Sequence, residues 1–317
     1  MVVQKIPNSF GLFEQIMTIK KNRIVFYTEP EWAFGVIHNE LTKYLFVHGI
    51  NSTVLSWHKN YSVDEIQELS NNINYFVANP YGIAKLIDGF GIPPEKCIVV
   101  AHAVRDLHDL MTFSEDNRKR LHAYGVVSDW LLEQSVLLNM DIHPTVVSIG
   151  INYESFFSEP SRELKTVGYA GTISPHAIHS HIKRFELIKK VTEKVNLPLT
   201  TATTYHNSYV TMQGYYKTVD AVIVASTEEG AGLPALEASA AGKLVISTPV
   251  GIWLKKSNGT GHTVPIDQEL FLKETEKILT YYKFNSESYR ETCLQTQKHA
   301  KLYDWSNVIE HWVNLLQ

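Results

Sequence analysis

Short runs of apolar and β-branched residues alternate along the chain with longer stretches whose apolar positions recur every three or four residues. Arg23 to Tyr27, Thr53 to Trp57, Tyr75 to Ala78, Cys97 to Ala101 and Gly125 to Ser128 read as strands. Between the first two, Ile37, Leu41, Tyr44 and Leu45 fall on one helical face. Turn signals at Asn79-Pro80-Tyr81-Gly82 and Gly91-Ile-Pro-Pro94 separate these elements. The rhythm predicts a parallel α/β sheet. The segment Thr145 to Phe157 reads as a strand that leaves this sheet, and polar Ser158-Glu-Pro-Ser-Arg-Glu163 follows it.

A second series then begins. Strands are expected at Thr166 to Ala170, Leu199 to Ala202, Ala221 to Ala225 and Leu244 to Ser247, with helices near Ile182 to Val195 and Pro234 to Ala241. The expected architecture is therefore two successive doubly wound, Rossmann-like domains at 1–152 and 153–302. A last helix at 303–317 carries Val308, Trp312, Leu315 and Leu316 on one face, which needs a partner and is expected to pack back toward the first domain.

Length agrees with two domains, since 317 residues are enough for two independent cores. Apolar residues at 44% and charged residues at 20% exclude a disordered chain. A net charge of −4 provides no general attraction to nucleic acid or anionic lipid, so any polyanion site must be local. Cys97 and Cys293 are far apart and form neither a disulfide framework nor a zinc spacing. With no signal peptide and no long apolar run in the sequence, a cytoplasmic location is the expectation. The Phe10 to Ile19 segment, followed by Lys20 and Lys21, is either a peripheral membrane patch or a helix packed on its own domain.

The chemistry concentrates in the stretch from Asp220 to Gly251, which reads as strand, glycine-rich loop, helix, strand. Gly230 and Gly232 allow the backbone to approach a bulky anion, and Leu233-Pro234 opens a helix whose first N–H groups face the same space. Glu229 ends the strand side of the loop and Glu237 lies about one turn into the helix. Each carboxylate can accept from vicinal hydroxyls, so the pair suits two polyols flanking a diphosphate, as in a nucleotide sugar.

These residues resemble the glutamate, seven residues, glutamate signature of glycosyltransferase family 4 and the related group 1 enzymes of the GT-B fold. The likeness extends through Leu236-Glu237-Ala238, the Ala241-Gly242 helix end and the strand after it. It implies two Rossmann-like domains facing a central cleft, the first on the acceptor side and the second holding the donor. It also implies a retaining, metal-independent hexosyl- or pentosyltransferase that uses a UDP- or GDP-sugar and no cofactor. Glu229 would contact the transferred sugar, Glu237 the ribose, and the amides of Ala231, Gly232 and Leu233 the diphosphate. Family members carry an arginine and then a lysine after the first strand of the second domain. Here Thr172 stands at the arginine position, and Lys183, with Arg184 as the alternative, stands for the lysine. Either would stabilise the charge that grows on the leaving diphosphate. Gly35 matches a glycine loop of the first domain, or is a strand-to-helix turn glycine, and His102 matches a histidine beside the sugar, or is a structural histidine at a strand end. His176, His179 and His181 form a polar loop, with metal ligation the lesser reading.

The acceptor is any hydroxyl-bearing molecule of the kinds such enzymes use, a glycan or lipid-linked sugar among them; the acidic charge balance gives a nucleic-acid acceptor no support. Two alternatives stay open: a GT-B epimerase or phosphorylase, and a non-catalytic nucleotide-sugar-binding subunit, which the missing arginine favours.

Overall fold

The computed structural model describes residues 23–29, 33–174, 180–202, 209–253 and 261–317. Among them, six strands form one sheet and five form another. The first sheet contains β1 (Arg23–Thr28), β2 (Asn51–Ser56), β3 (Tyr75–Ala78), β4 (Cys97–Ala101), β5 (Ala123–Val126) and β6 (Thr145–Val146), in the order β2-β1-β3-β4-β5-β6. β1 pairs in parallel with β2, from Arg23 opposite Asn51 to Thr28 opposite Ser56, and with β3 on its other side. All five β4 residues are buried, as expected of a strand covered on both faces.

The helices of this half are α1 (Ala33–Val47), α2 (Val63–Asn71), α3 (Pro80–Ala84), α4 (Val104–Met111), α5 (Glu115–Arg120) and α6 (Asp129–Leu137). Ile37, Leu41 and Leu45 are buried, as the apolar face required. The Ser62 and Glu65 side chains cap α2 reciprocally, in a capping box.

The second sheet contains β7 (Val167–Ala170), β8 (Leu199–Ala202), β9 (Ala221–Val224), β10 (Leu244–Ser247) and β11 (His262–Thr263), in the order β11-β10-β9-β7-β8, with all pairs parallel. Its helices are α7 (Tyr153–Phe156), α8 (Ser180–Lys183), α9 (Phe185–Lys194), α10 (Tyr209–Tyr216), α11 (Leu233–Ala240), α12 (Gln268–Phe284), α13 (Ser286–Ala300) and α14 (Trp305–Leu316). Alternation along the strands divides its core in two. Ile223 and Ile246 pack with Ile188, Val191, Phe271 and Leu279, while Val222 and Val245 pack with Phe156, Tyr216 and Leu236. Asp220 ties the strands together at their start: its Oδ2 accepts from the Lys165 and Thr166 amides, each at 2.9 Å, and its carbonyl accepts from the Tyr289 hydroxyl at 2.9 Å.

Two compact units emerge, one of residues 1–100, 106–125 and 313–317, the other of residues 101–105 and 126–312. No helix among the described residues is long and apolar enough to cross a membrane. The Phe10 to Ile19 segment lies outside the described residues.

Two expected elements differ from the structure. The predicted strand at Thr145 to Phe157 is a strand only at β6; the chain then runs irregularly to α7, which the Asn152 side chain caps at the Ser155 amide, 3.2 Å away. Val147, Ile149 and Ile151 are buried, which accounts for the strand-like alternation. Instead of entering a sheet, Ile151 bridges to Asp304: its N–H donates to the Tyr303 carbonyl at 2.9 Å, and its carbonyl accepts from the Trp305 amide at 3.1 Å. The predicted helix from Ile182 to Val195 breaks into α8 and α9 at Arg184, whose φ of 50° is left-handed.

Gly150 is needed because a Cβ there would lie 2.5 Å from the Trp305 ring and 2.9 Å from its Cα. The Trp312 indole N–H donates to the Ser148 carbonyl at 2.9 Å, holding the same crossing from the other side. Gly150→Ala is expected to cost about 1–3 kcal/mol through overpacking and Trp312→Ala about 3–5 kcal/mol, both read as lower midpoints in urea unfolding.

Candidate nucleotide-sugar site

The turn between β9 and α11 needs its glycines, Gly230 for lack of room and Gly232 for its left-handed backbone. A Cβ on Gly230 would lie 1.8 Å from the His102 carbonyl oxygen, and the Gly230 carbonyl accepts from the Ser128 hydroxyl at 2.6 Å. Gly232 takes a φ of 79° and opens α11, with Pro234 in the first turn. Opposite, Gly251 has a φ of 59°, and a Cβ there would meet the Ala231 carbonyl at 2.7 Å; the Ile252 amide donates to that carbonyl at 3.1 Å. The Ala231 carbonyl is thus occupied. Among the described residues, the amides of Ala231, Gly232 and Leu233 donate to no acceptor, although Ala231 is only 7% exposed. Clustered N–H groups without acceptors at a helix start form an anion cradle.

Glu229 stands at the mouth of this turn. Its Oε1 accepts from the Lys183 ammonium at 2.5 Å and from the Ser226 hydroxyl at 2.7 Å. The Ser226 carbonyl in turn accepts from the Thr248 hydroxyl at 2.5 Å, which ties the ends of β9 and β10 together. Lys183 arrives from α8, which is held near the loop by the Thr227 amide donating to the Ile182 carbonyl at 3.0 Å. The lysine and the first glutamate therefore meet, although they are 46 positions apart.

Arg184 does not join them. Its Nε donates to the Ala225 carbonyl, its Nη1 donates to the Ile266 carbonyl, and its guanidinium lies over the Phe271 ring. The donor-binding part expected of Arg184 is therefore corrected: the left-handed turn aims it into the fold, where its charge fixes two carbonyls. Burial lowers its pKa.

Glu237 is 4% exposed, and its Oε2 accepts from the Tyr216 hydroxyl at 2.8 Å. Burial pushes its carboxyl up to about 7, while the Tyr216 hydrogen bond pulls the other way. His102 is 6% exposed, and burial pushes its imidazole down to about 3, so it is a neutral ring at physiological pH. Thr172 follows β7, half-buried, and its carbonyl accepts from the Tyr169 hydroxyl at 2.8 Å. Gly35 is not in a loop: it lies buried in the first turn of α1, where its carbonyl accepts from the Asn39 side chain at 2.7 Å.

His176 and His179 lie outside the described residues, and His181 is exposed. Among the described residues, no three His, Cys, Asp or Glu side chains gather as metal ligands. Tyr216, Ser226 and Thr248 are contacts that sequence reasoning missed. Ser226 sits three residues before Glu229, a spacing that could have signalled it; Tyr216 reads only as a core aromatic.

Because burial raises the Glu237 pKa, the native state holds its proton above the pH at which the unfolded chain releases it. That contribution to stability is present at low pH and is lost as pH rises from the ordinary carboxylate range to about 7. Glu237→Gln should therefore gain melting temperature relative to the wild type across that window, with the difference constant above it, as measured by calorimetric scans across pH.

A family model described as glycosyl transferases group 1 matches residues 178–280, which include Lys183, Glu229 and Glu237. No curated protein matches the chain by sequence. In fold, the chain is similar to HepE of Anabaena, solved with UDP and glucose, at 12% identity and a TM-score of 0.67, covering 93% of this chain and 99% of that one. It is similar to sucrose-phosphate synthase of Thermosynechococcus elongatus at 13% identity and a TM-score of 0.61, covering 93% and 98%. It is also similar to a glycosyltransferase of Rickettsia africae at 16% identity and a TM-score of 0.59, covering 94% and 98%. Residues 178–280 thus match the glycosyl transferases group 1 family, and the chain has the GT-B fold of these structures.

Proposed function

We propose that the chain transfers a glycosyl unit from a nucleoside-diphosphate sugar, with UDP as the favoured nucleotide, to an acceptor hydroxyl with retention at the anomeric carbon. The observation that carries this reading is the row of amides from Ala231 to Leu233 with no acceptor among the described residues, next to the Lys183 and Glu229 pair. An anion with a polyol attached satisfies all of them at once. The HepE structures that hold UDP and UDP-glucose support the choice of nucleotide.

In this reading the diphosphate lies on the amides at the start of α11, Glu229 accepts from the sugar hydroxyls, and Glu237 accepts from the ribose. Lys183 turns from Glu229 to the diphosphate. As the bond between the anomeric carbon and the β-phosphate oxygen breaks, Lys183 and the helix start hold the charge on the leaving group, the part a metal plays elsewhere. The acceptor oxygen attacks from the same face and its proton passes to the departing phosphate oxygen, so no protein nucleophile is required. The acceptor is a sugar or other hydroxyl-bearing molecule.

A second reading, a nucleotide-sugar-binding subunit without turnover, draws on Thr172 at the arginine position and on Arg184 being committed to two carbonyls. Turnover decides between them.

UDP is expected to raise the melting temperature, and a matching UDP-sugar to raise it further. In Glu229→Ala the increment due to the sugar should vanish while UDP itself still stabilises; loss of both would overturn the assignment of Glu229 to the sugar. Lys183→Ala should lower kcat by roughly 10²–10³-fold, followed as release of UDP in the presence of acceptor. NMR of the product should show the anomeric configuration of the donor, and an inverted product would overturn retention.

A further inference from the structure

Tyr216 lies at the end of α10 and is fully buried in the core on one face of the second sheet. Its ring packs edge-on against Phe156, with centroids 6.0 Å apart, and against Tyr215 at 5.2 Å. A ring clamped this way presents its hydroxyl in one place, 2.8 Å from Glu237 Oε2, with the Pro234 carbonyl 3.5 Å away. Among the described residues, Glu237 Oε1 accepts from no group. One oxygen of this carboxyl is committed, and the other has no partner among the described residues.

We propose that Tyr216 is the positioning residue for the donor: by donating to Oε2 it fixes the orientation of the Glu237 carboxyl, so that Oε1 accepts from the nucleotide ribose. This rests on the reading of Glu237 as the ribose ligand given above. Without the phenol, a carboxylate buried to this degree loses the hydrogen bond that offsets its desolvation and takes up a proton more readily, which weakens it as an acceptor. Burial and the Tyr216 hydroxyl are the influences on its ionisation. The other elements against α11 contribute apolar strand residues, Tyr153 from α7, and His299 and Tyr303, which line a small cavity with Leu236 and Ser239.

Isothermal titration with UDP, and with GDP in parallel, between about pH 6 and pH 9 on the wild type, Tyr216→Phe, Glu237→Gln and the double variant tests this. Wild-type affinity should fall as pH drops through about 7. In Tyr216→Phe that fall should begin at higher pH, leaving affinity about tenfold weaker near neutrality and largely restored at the alkaline end. A loss from general loosening would not be restored by pH. Glu237→Gln should bind weakly and retain only the pH dependence of the nucleotide's own terminal phosphate, and the double variant no more weakly than Glu237→Gln, because Tyr216 acts through the carboxyl. If Tyr216→Phe does not fold, a ring-fluorinated tyrosine encoded at 216 keeps the packing and donates more strongly, so the midpoint should move to lower pH. Superimposable profiles for the wild type and either position-216 variant, or additive losses in the double variant, would overturn the assignment of Tyr216 while leaving the donor site standing. Absence of binding of either nucleotide to the wild type would remove the donor reading and this inference together.

Discussion

The turn from β9 to α11 is constrained by the lack of room for a single carbon atom. Gly230 touches the His102 carbonyl closely enough that a Cβ would overlap it, and Gly251 approaches Ala231 almost as tightly from the other side. With the backbone packed from both directions, the turn cannot fold back to satisfy its own amides. Among the described residues its N–H groups have no acceptor, and they stand at the start of a helix, where the aligned peptide dipoles add positive potential. The remaining features of the site are arranged around that condition: Glu229 at one end of the turn, Lys183 brought in by α8, and Glu237 one turn along α11.

Placing Lys183 there has a structural requirement of its own. A continuous helix would carry Lys183 and Arg184 round the same cylinder, both at the surface. The left-handed residue at 184 separates their directions, so that one cation faces the turn while the other enters the fold and fastens β9 to the segment before α12. An arginine suits the inner position because its fork can reach two carbonyls at once. The cost of left-handed backbone at a residue with a Cβ is offset by those bonds and by the Phe271 ring beneath the guanidinium.

Much of this was legible in the sequence, for identifiable reasons. Strands such as Tyr75–Ala78, Cys97–Ala101, Leu199–Ala202 and Leu244–Ser247 are short, apolar and bounded by turns, so pattern alone located them. The loop from Glu229 to Glu237 was legible because glycine and proline have few uses in such a position. The failures share a different cause. Between Thr145 and Phe157 the alternation of buried residues was real, but it arose from a crossing that pairs with Asp304 rather than from a strand in a sheet. Arg184 looked like a ligand because neighbouring cations look alike until the backbone sign at one residue is known. Tyr216 was invisible because a tyrosine in an apolar helix gives no hint of where its hydroxyl points. The α12 and α13 helices went unread because their exposed faces dilute the apolar period.

The pairing of Lys183 with Glu229 has a consequence for what can enter. In the free protein the two charges of this pair cancel, so Lys183 meets a passing phosphate already partnered. A simple anion that recruits Lys183 must leave Glu229 holding a partly desolvated negative charge with only Ser226 to share it. A molecule that brings hydroxyls together with its phosphates compensates both partners in the same step. Under the proposed reading the ion pair thus acts as a coincidence detector, rewarding phosphate and sugar covalently joined over either arriving separately.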